Sequence, residues 1–200
     1  MIQHTLGLLV RPSAQWRTIA ELPESSFRTL VLYPCIFAVL PAVAWYYGTS
    51  RVGWTVGDHG ETIKLTVESA RQISVLFYLA MLGAIAVIGY FVHWMSDTYG
   101  ADSSLTKGIV IAGLTSTPLF IAGLVGVYPL LWIDLLIGVA ALSWSVYLLY
   151  LGIPIIMGIP EERGFLFSSA VVGVAMVILI CMMVGSVILW EYGAAPAFTD

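Results

Sequence analysis

Long apolar runs alternate with short polar breaks along the chain. A helix rises about 1.5 Å per residue and the hydrocarbon core of a bilayer is about 30 Å thick, so a span takes about 20 mostly apolar residues. Five stretches qualify: Leu30 to Tyr47, Ser74 to Met95, Gly108 to Val127, Pro129 to Ile153 and Ser168 to Trp190. Lipid offers no partner for a free backbone N–H or C=O, so each is predicted to be a helix. Tyr46, Tyr47, Trp94, Tyr128, Trp132, Trp190 and Tyr192 collect at the ends of these runs. That is where amphipathic rings settle at a membrane–water boundary. The predicted fold class is all-α, a polytopic transmembrane bundle of five spans.

The connections refine this picture. The third and fourth spans meet at Gly126-Val127-Tyr128-Pro129, which predicts a tight antiparallel hairpin. Residues 52–67 change period: Trp54 and Val56 alternate, then Ile63, Leu65 and Val67, around Gly57-Asp58-His59-Gly60. This predicts a small β-hairpin capping one membrane face. Ahead of the first span, Ile2, Leu6 and Leu9 share one helical face. Beyond Arg11-Pro12, Ser13 is placed to cap a second short helix carrying Trp16, Ile19 and Ala20 on one side. Such a segment reads as amphipathic and lying on the membrane surface, with packing against the bundle's own loops as the alternative. Residues 1–10 lack a basic stretch and make a poor signal peptide, so the first span is expected to serve as the signal. The chain thus divides into an interfacial segment at 1–28, a five-span membrane domain at 29–193 and a tail at 194–200.

Composition agrees. The chain is 60% hydrophobic and 10% charged, against about 45–50% and about 25% for soluble domains. A net charge of −4, thinly spread, points away from nucleic acid and from a polybasic lipid patch. Cys35 and Cys181 lie far apart in apolar runs, with no CxxC, and read as small core hydrophobes. Cations set the orientation. Arg11, Arg17, Arg28, Lys107 and Arg163 fall on the amino-terminal side, and Arg51, Lys64 and Arg71 on the other. This bias of 5 to 3 predicts a cytoplasmic amino terminus and an external tail.

Few residues offer chemistry. Asp134 is the one acid well inside a span, on a stripe with Gly138, Ala141 and Ser145. An acid at that depth marks a polar pathway or binding site. It also lies only about 8 Å in from Pro129, where the helix dipole and interfacial water favour it structurally. Thr115-Ser116-Thr117-Pro118 break the third span: Pro118 cannot bond the Leu114 carbonyl, and neighbouring hydroxyls can answer the freed groups. The break reads as a hinge or polar notch, or as a packed kink. Ser143, Tyr147 and Tyr150 recur at helical spacing, and His93 lies near the end of the second span. These residues either line a polar cavity or make ordinary interhelical hydrogen bonds. Glu161-Glu162 suit a helix start. Asp58, His59 and Glu61 are a weak metal set. Small residues four apart, such as Gly108, Ala112 and Ser116, permit close helix approach. HExxH, GxSxG, GxxxxGK and DxDxDG are absent, and no matched pair of interrupted spans is evident.

The segment Arg11-Pro12-Ser13-Ala14-Gln15-Trp16-Arg17-Thr18-Ile19 resembles the Pro…Trp…Ile opening of the Yip domain family, the Ypt/Rab-interacting proteins and their bacterial relatives. Gly113-Leu114-Thr115-Ser116-Thr117-Pro118 resembles that family's Gly-Tyr-x-x-x-Pro signature, and Tyr147 through Pro154 resembles the close of its fourth span. The likeness covers nearly the whole chain and is strongest to the short bacterial inner-membrane members. It implies a five-span fold in a plasma membrane, the inner membrane if the chain is bacterial. Leu114 replaces the usual Tyr, and the Asp-Leu-Tyr-Gly-Pro segment of eukaryotic members is missing, so Rab GTPase binding is not carried over. The expectation is a non-enzymatic, cofactor-free membrane-organising or protein-interaction component. Its partners would be the lipid bilayer and other membrane proteins or a second copy. The alternative is a small transporter or channel lined by Asp134, Thr115 to Thr117, Ser143, Tyr147 and His93.

Overall fold

The computed structural model describes residues 2–56 and 61–199. The chain opens with two nine-residue helices, α1 (Ile2–Val10) and α2 (Pro12–Ala20). The first span, Glu24–Val52, is segmented into α3 (Glu24–Thr29), a 3-10 turn, α4 (Tyr33–Phe37), α5 (Val39–Tyr47) and a closing wide turn. After a β-hairpin comes the second span, α6 (Val67–Met95), which tightens into a 3-10 turn. The third span holds α7 (Leu105–Thr115), α8 (Thr117–Ala122) and a 3-10 end. The fourth is α9 (Leu131–Met157) and the fifth α10 (Glu161–Leu189). All five are long and apolar enough to cross a membrane, as the apolar runs predict.

The helices outrun the apolar runs because polar caps, not the bilayer edge, decide where they begin. The Thr66 hydroxyl accepts the Ser69 N–H at the start of α6, and the Ser104 hydroxyl accepts the Lys107 N–H at the start of α7, both at 3.3 Å. Glu161 and Glu162 occupy the first turn of α10, where the dipole favours them. Pro34, Pro41 and Pro118 each fall in the first turn of the helix after a break, where a missing N–H leaves no carbonyl unanswered within the new helix. The first and third spans are therefore both interrupted, a pairing that the sequence pattern does not reveal.

α6 and α7 cross with their backbones in close contact. A Cβ on Gly89 would meet Ile109 backbone at 2.8 Å, and one on Gly108 would collide with the Gly89 carbonyl. Two facing glycines let the backbones touch, as small residues do between membrane helices. The amino-terminal hairpin turns its buried face to protein. Leu8, Trp16 and Ile19 have no exposed surface, and α2 packs on α9, where the Trp16 indole fills the space a Gly152 side chain would take. Leu6 and Val10 remain exposed.

At the opposite end, β1 (Trp54–Val56) pairs antiparallel with β2 (Glu61–Ile63), Trp54 opposite Ile63. The predicted turn at residues 57–60, with Asp58 and His59 of the suggested metal set, lies outside the described residues. Among the described residues no three His, Cys, Asp or Glu side chains gather. The tail adds a feature that the sequence does not announce. Thr66 N–H donates to the Ala197 carbonyl at 2.9 Å, Thr199 N–H to the Lys64 carbonyl at 2.9 Å, and Phe198 sits edge-on to Trp54. Cys35 is half-buried, but Cys181 is exposed on α10 and belongs to no core.

Candidate functional site

Breaking the third span frees the Leu114 carbonyl, and the local sequence answers it. The Thr117 hydroxyl donates to that carbonyl at 2.6 Å. Its single proton being committed, Thr117 accepts from the Tyr33 hydroxyl, 2.8 Å away on α4. Tyr33 is in turn hydrogen-bonded to Thr5 of α1 at 3.1 Å. Three segments of chain, α1, the first span and the third, thus meet in one buried chain of hydroxyls. Tyr33 and Thr117 have no exposed surface, and Phe37 stacks on the Tyr33 ring with centroids 4.2 Å apart. Thr115 donates to the Ile111 and Ala112 carbonyls at 2.8 and 3.0 Å, and Ser116 to Ala112 at 2.8 Å. These hydroxyls all serve the backbone and close the kink upon itself.

The other candidates lie elsewhere. Asp134 is in the first turn of α9, half-buried, its N–H bonded to the Leu130 carbonyl at 2.9 Å. Its Oδ1 is enclosed with no hydrogen-bond partner among the described residues. Along its stripe a Cβ on Gly138 would meet nothing within 4 Å, while Ala141 and Ser145 are buried. Ser143 is exposed and donates to the Val139 carbonyl at 2.8 Å. Tyr147 is also exposed, against Trp144. His93 lies near the far end of α6, with an enclosed Nδ1 that has no hydrogen-bond partner among the described residues. Of the eight sequence candidates, the structure gathers Thr115, Ser116, Thr117 and Pro118, and disperses Asp134, Ser143, Tyr147 and His93 over two ends and an outer face. Neither principal cavity is lined by any of them.

Tyr33 and Thr5 escape sequence reasoning. Tyr33 sits just before Pro34 in an apolar run, and that Tyr-Pro step is the signal that marks it. The pairing of Tyr150 with Ser169, at 2.8 Å, ties α9 to α10 as ordinary interhelical bonding does.

The Yip1 domain family matches the chain over residues 6–182. The chain is 36% identical over 192 residues to the inner membrane protein YohC of Escherichia coli, covering 96% of this chain and 98% of that protein, in two strains. No solved structure matches it. With five spans, a packed amino-terminal Trp segment and a proline break where the resemblance places them, this multi-pass membrane protein belongs to the Yip1 domain family.

Proposed function

We propose that the protein works without covalent chemistry, as a membrane-organising component that holds other membrane proteins against its last span. The carrying observation is the uneven burial of its helices. In the most apolar stretch of the fifth span only 6% is buried within the chain, against 56% for the third. Met176, Ile180 and Val184 recur on one exposed face. A helix that gives so little to its own bundle is free to give its surface to a neighbour. Its polar candidates are scattered or committed to backbone, which favours this reading over a conducting path. By likeness to YohC of Escherichia coli, we place it in an inner membrane. The excess of cations beside the first helices favours a cytoplasmic amino terminus.

The test is photocrosslinking in intact membranes, with a photoreactive residue at 176, 180 or 184 and controls at Ile111 and Leu114. Discrete protein adducts are expected from α10 alone. Lipid adducts only, at every position, would remove the reading. Deleting the amino-terminal hairpin is a poor alternative, because it strips Trp16, Ile19 and Leu8 from the core.

A further inference from the structure

A cavity of about 360 Å³ opens at the amino-terminal face of the bundle, lined by Leu22, Phe27, Arg28, Ser104, Lys107 and Ile156 among others. That volume falls within the roughly 300–1,000 Å³ of small-ligand sites. We infer that this cavity binds the anionic headgroup of a phospholipid from the leaflet on that side.

Its depth comes first. The apolar run of the first span begins at Leu30, that of the third begins at Gly108 and that of the fourth ends at Ile153, so Phe27, Arg28, Ser104, Lys107 and Ile156 lie within about a turn of where three spans enter or leave the hydrocarbon. That is headgroup level. Its chemistry comes second. Arg28 and Lys107 approach from separate elements, and Ser104 and Thr106 line the same cavity. Leu22, Phe27 and Ile156 supply an apolar wall. A free anion has no use for that wall, whereas an acyl chain does. Basic pockets between spans on the cytoplasmic side recognise acidic lipid in this way.

The cations have present partners. The Arg28 guanidinium bonds the Glu24 carboxylate at 2.6 Å, and Lys107 Nζ donates to the Asp102 carbonyl at 3.0 Å. Neither is saturated: a guanidinium has five N–H donors and an ammonium three. Glu24 also lines the cavity, so its lining carries one net positive charge. It sets a competitor that a headgroup phosphate must outbid for Arg28. This site is separate from the α10 surface, so either proposal can fail alone.

The full-length protein in detergent is titrated with phosphatidylglycerol, with phosphatidylcholine of the same acyl chains, and with inorganic phosphate, and bound species are counted by native mass spectrometry. Wild type is expected to prefer phosphatidylglycerol. The R28Q/K107Q double variant should bind it about twenty-five-fold more weakly, a factor of about five for each cation removed. Glu24→Gln should tighten it, a change in the opposite direction that no folding defect imitates. Equal binding of the two lipids, an unaffected double variant, or displacement of phosphatidylglycerol by millimolar phosphate would each overturn the assignment.

Discussion

The third and fifth spans have similar sequences in outline, both apolar and dotted with glycine, yet the bundle uses them in opposite ways. The third is the most enclosed of the five: Val110, Ile111, Leu114, Thr117 and Phe120 are almost wholly buried. The fifth touches its own chain mainly over Gly164, Phe167, Ser168 and Val171, and then runs on with its surface free. The lesson concerns solvent. Lipid tails are as apolar as leucine, so burying an apolar face inside a membrane bundle gains little transfer energy. What separates the two spans is dispersion and close packing. That depends on glycines meeting backbone, not on how hydrophobic the helix is.

The widest gap between the spans should appear at their glycines. Gly108→Leu forces a side chain into the Gly89 backbone and should cost about 3 kcal/mol. Gly173 has nothing within 4 Å of its Cβ position, and Gly173→Leu should be neutral. Thermal unfolding in detergent checks the pair, and equal costs would erase the contrast. Leucine truncation sharpens it with a single chemistry. Leu114→Ala, at a site with no exposure, should cost about 2 kcal/mol, while Leu179→Ala, at 57% exposure, should change stability by less than about 0.5 kcal/mol.

Removing one hydroxyl tests why the third span tolerates a break. Tyr33→Phe strips a donor from Thr117 and should cost about 1 kcal/mol. In the T117V background the same change should cost measurably less, because the partners act together. The smallest effect is pH. Burial, aided by the nearby amino terminus, holds the His4 imidazole below its ordinary 6.5. The folded hairpin therefore favours the neutral ring, which also lies 2.7 Å from the Gln15 side-chain amide. Its contribution is full above pH 6.5 and is lost as pH falls through the lowered value. Amide exchange in α1 should rise on acidification in wild type and lose that dependence in His4→Gln.

The spans, the break at Pro118, the acidic start of α10 and the β-hairpin were legible because each rests on a rule local in sequence: length, a missing N–H, a dipole, an alternation. The placement of Ser143 and Tyr147 was not. Outside a membrane a polar stripe points to water, but here protein and lipid are both apolar, and periodicity alone does not say which side a helix turns inward. The same ambiguity hid the destination of α1 and α2, whose apolar face suits a bilayer surface as well as a neighbouring helix. The hydroxyl chain was half visible. Thr117 beside Pro118 announces a carbonyl to satisfy, but its partner Tyr33 is 84 residues away.

The tail's clasp on the hairpin has a temporal meaning. Ala197 reaches back 128 residues to Ser69, and Thr199 reaches 135 to Lys64. Those bonds can form only after the last helix has been threaded through. That end of the bundle therefore stays open until the fifth span is in place, and a product clipped between α10 and Ala197 would leave an unlatched strand there.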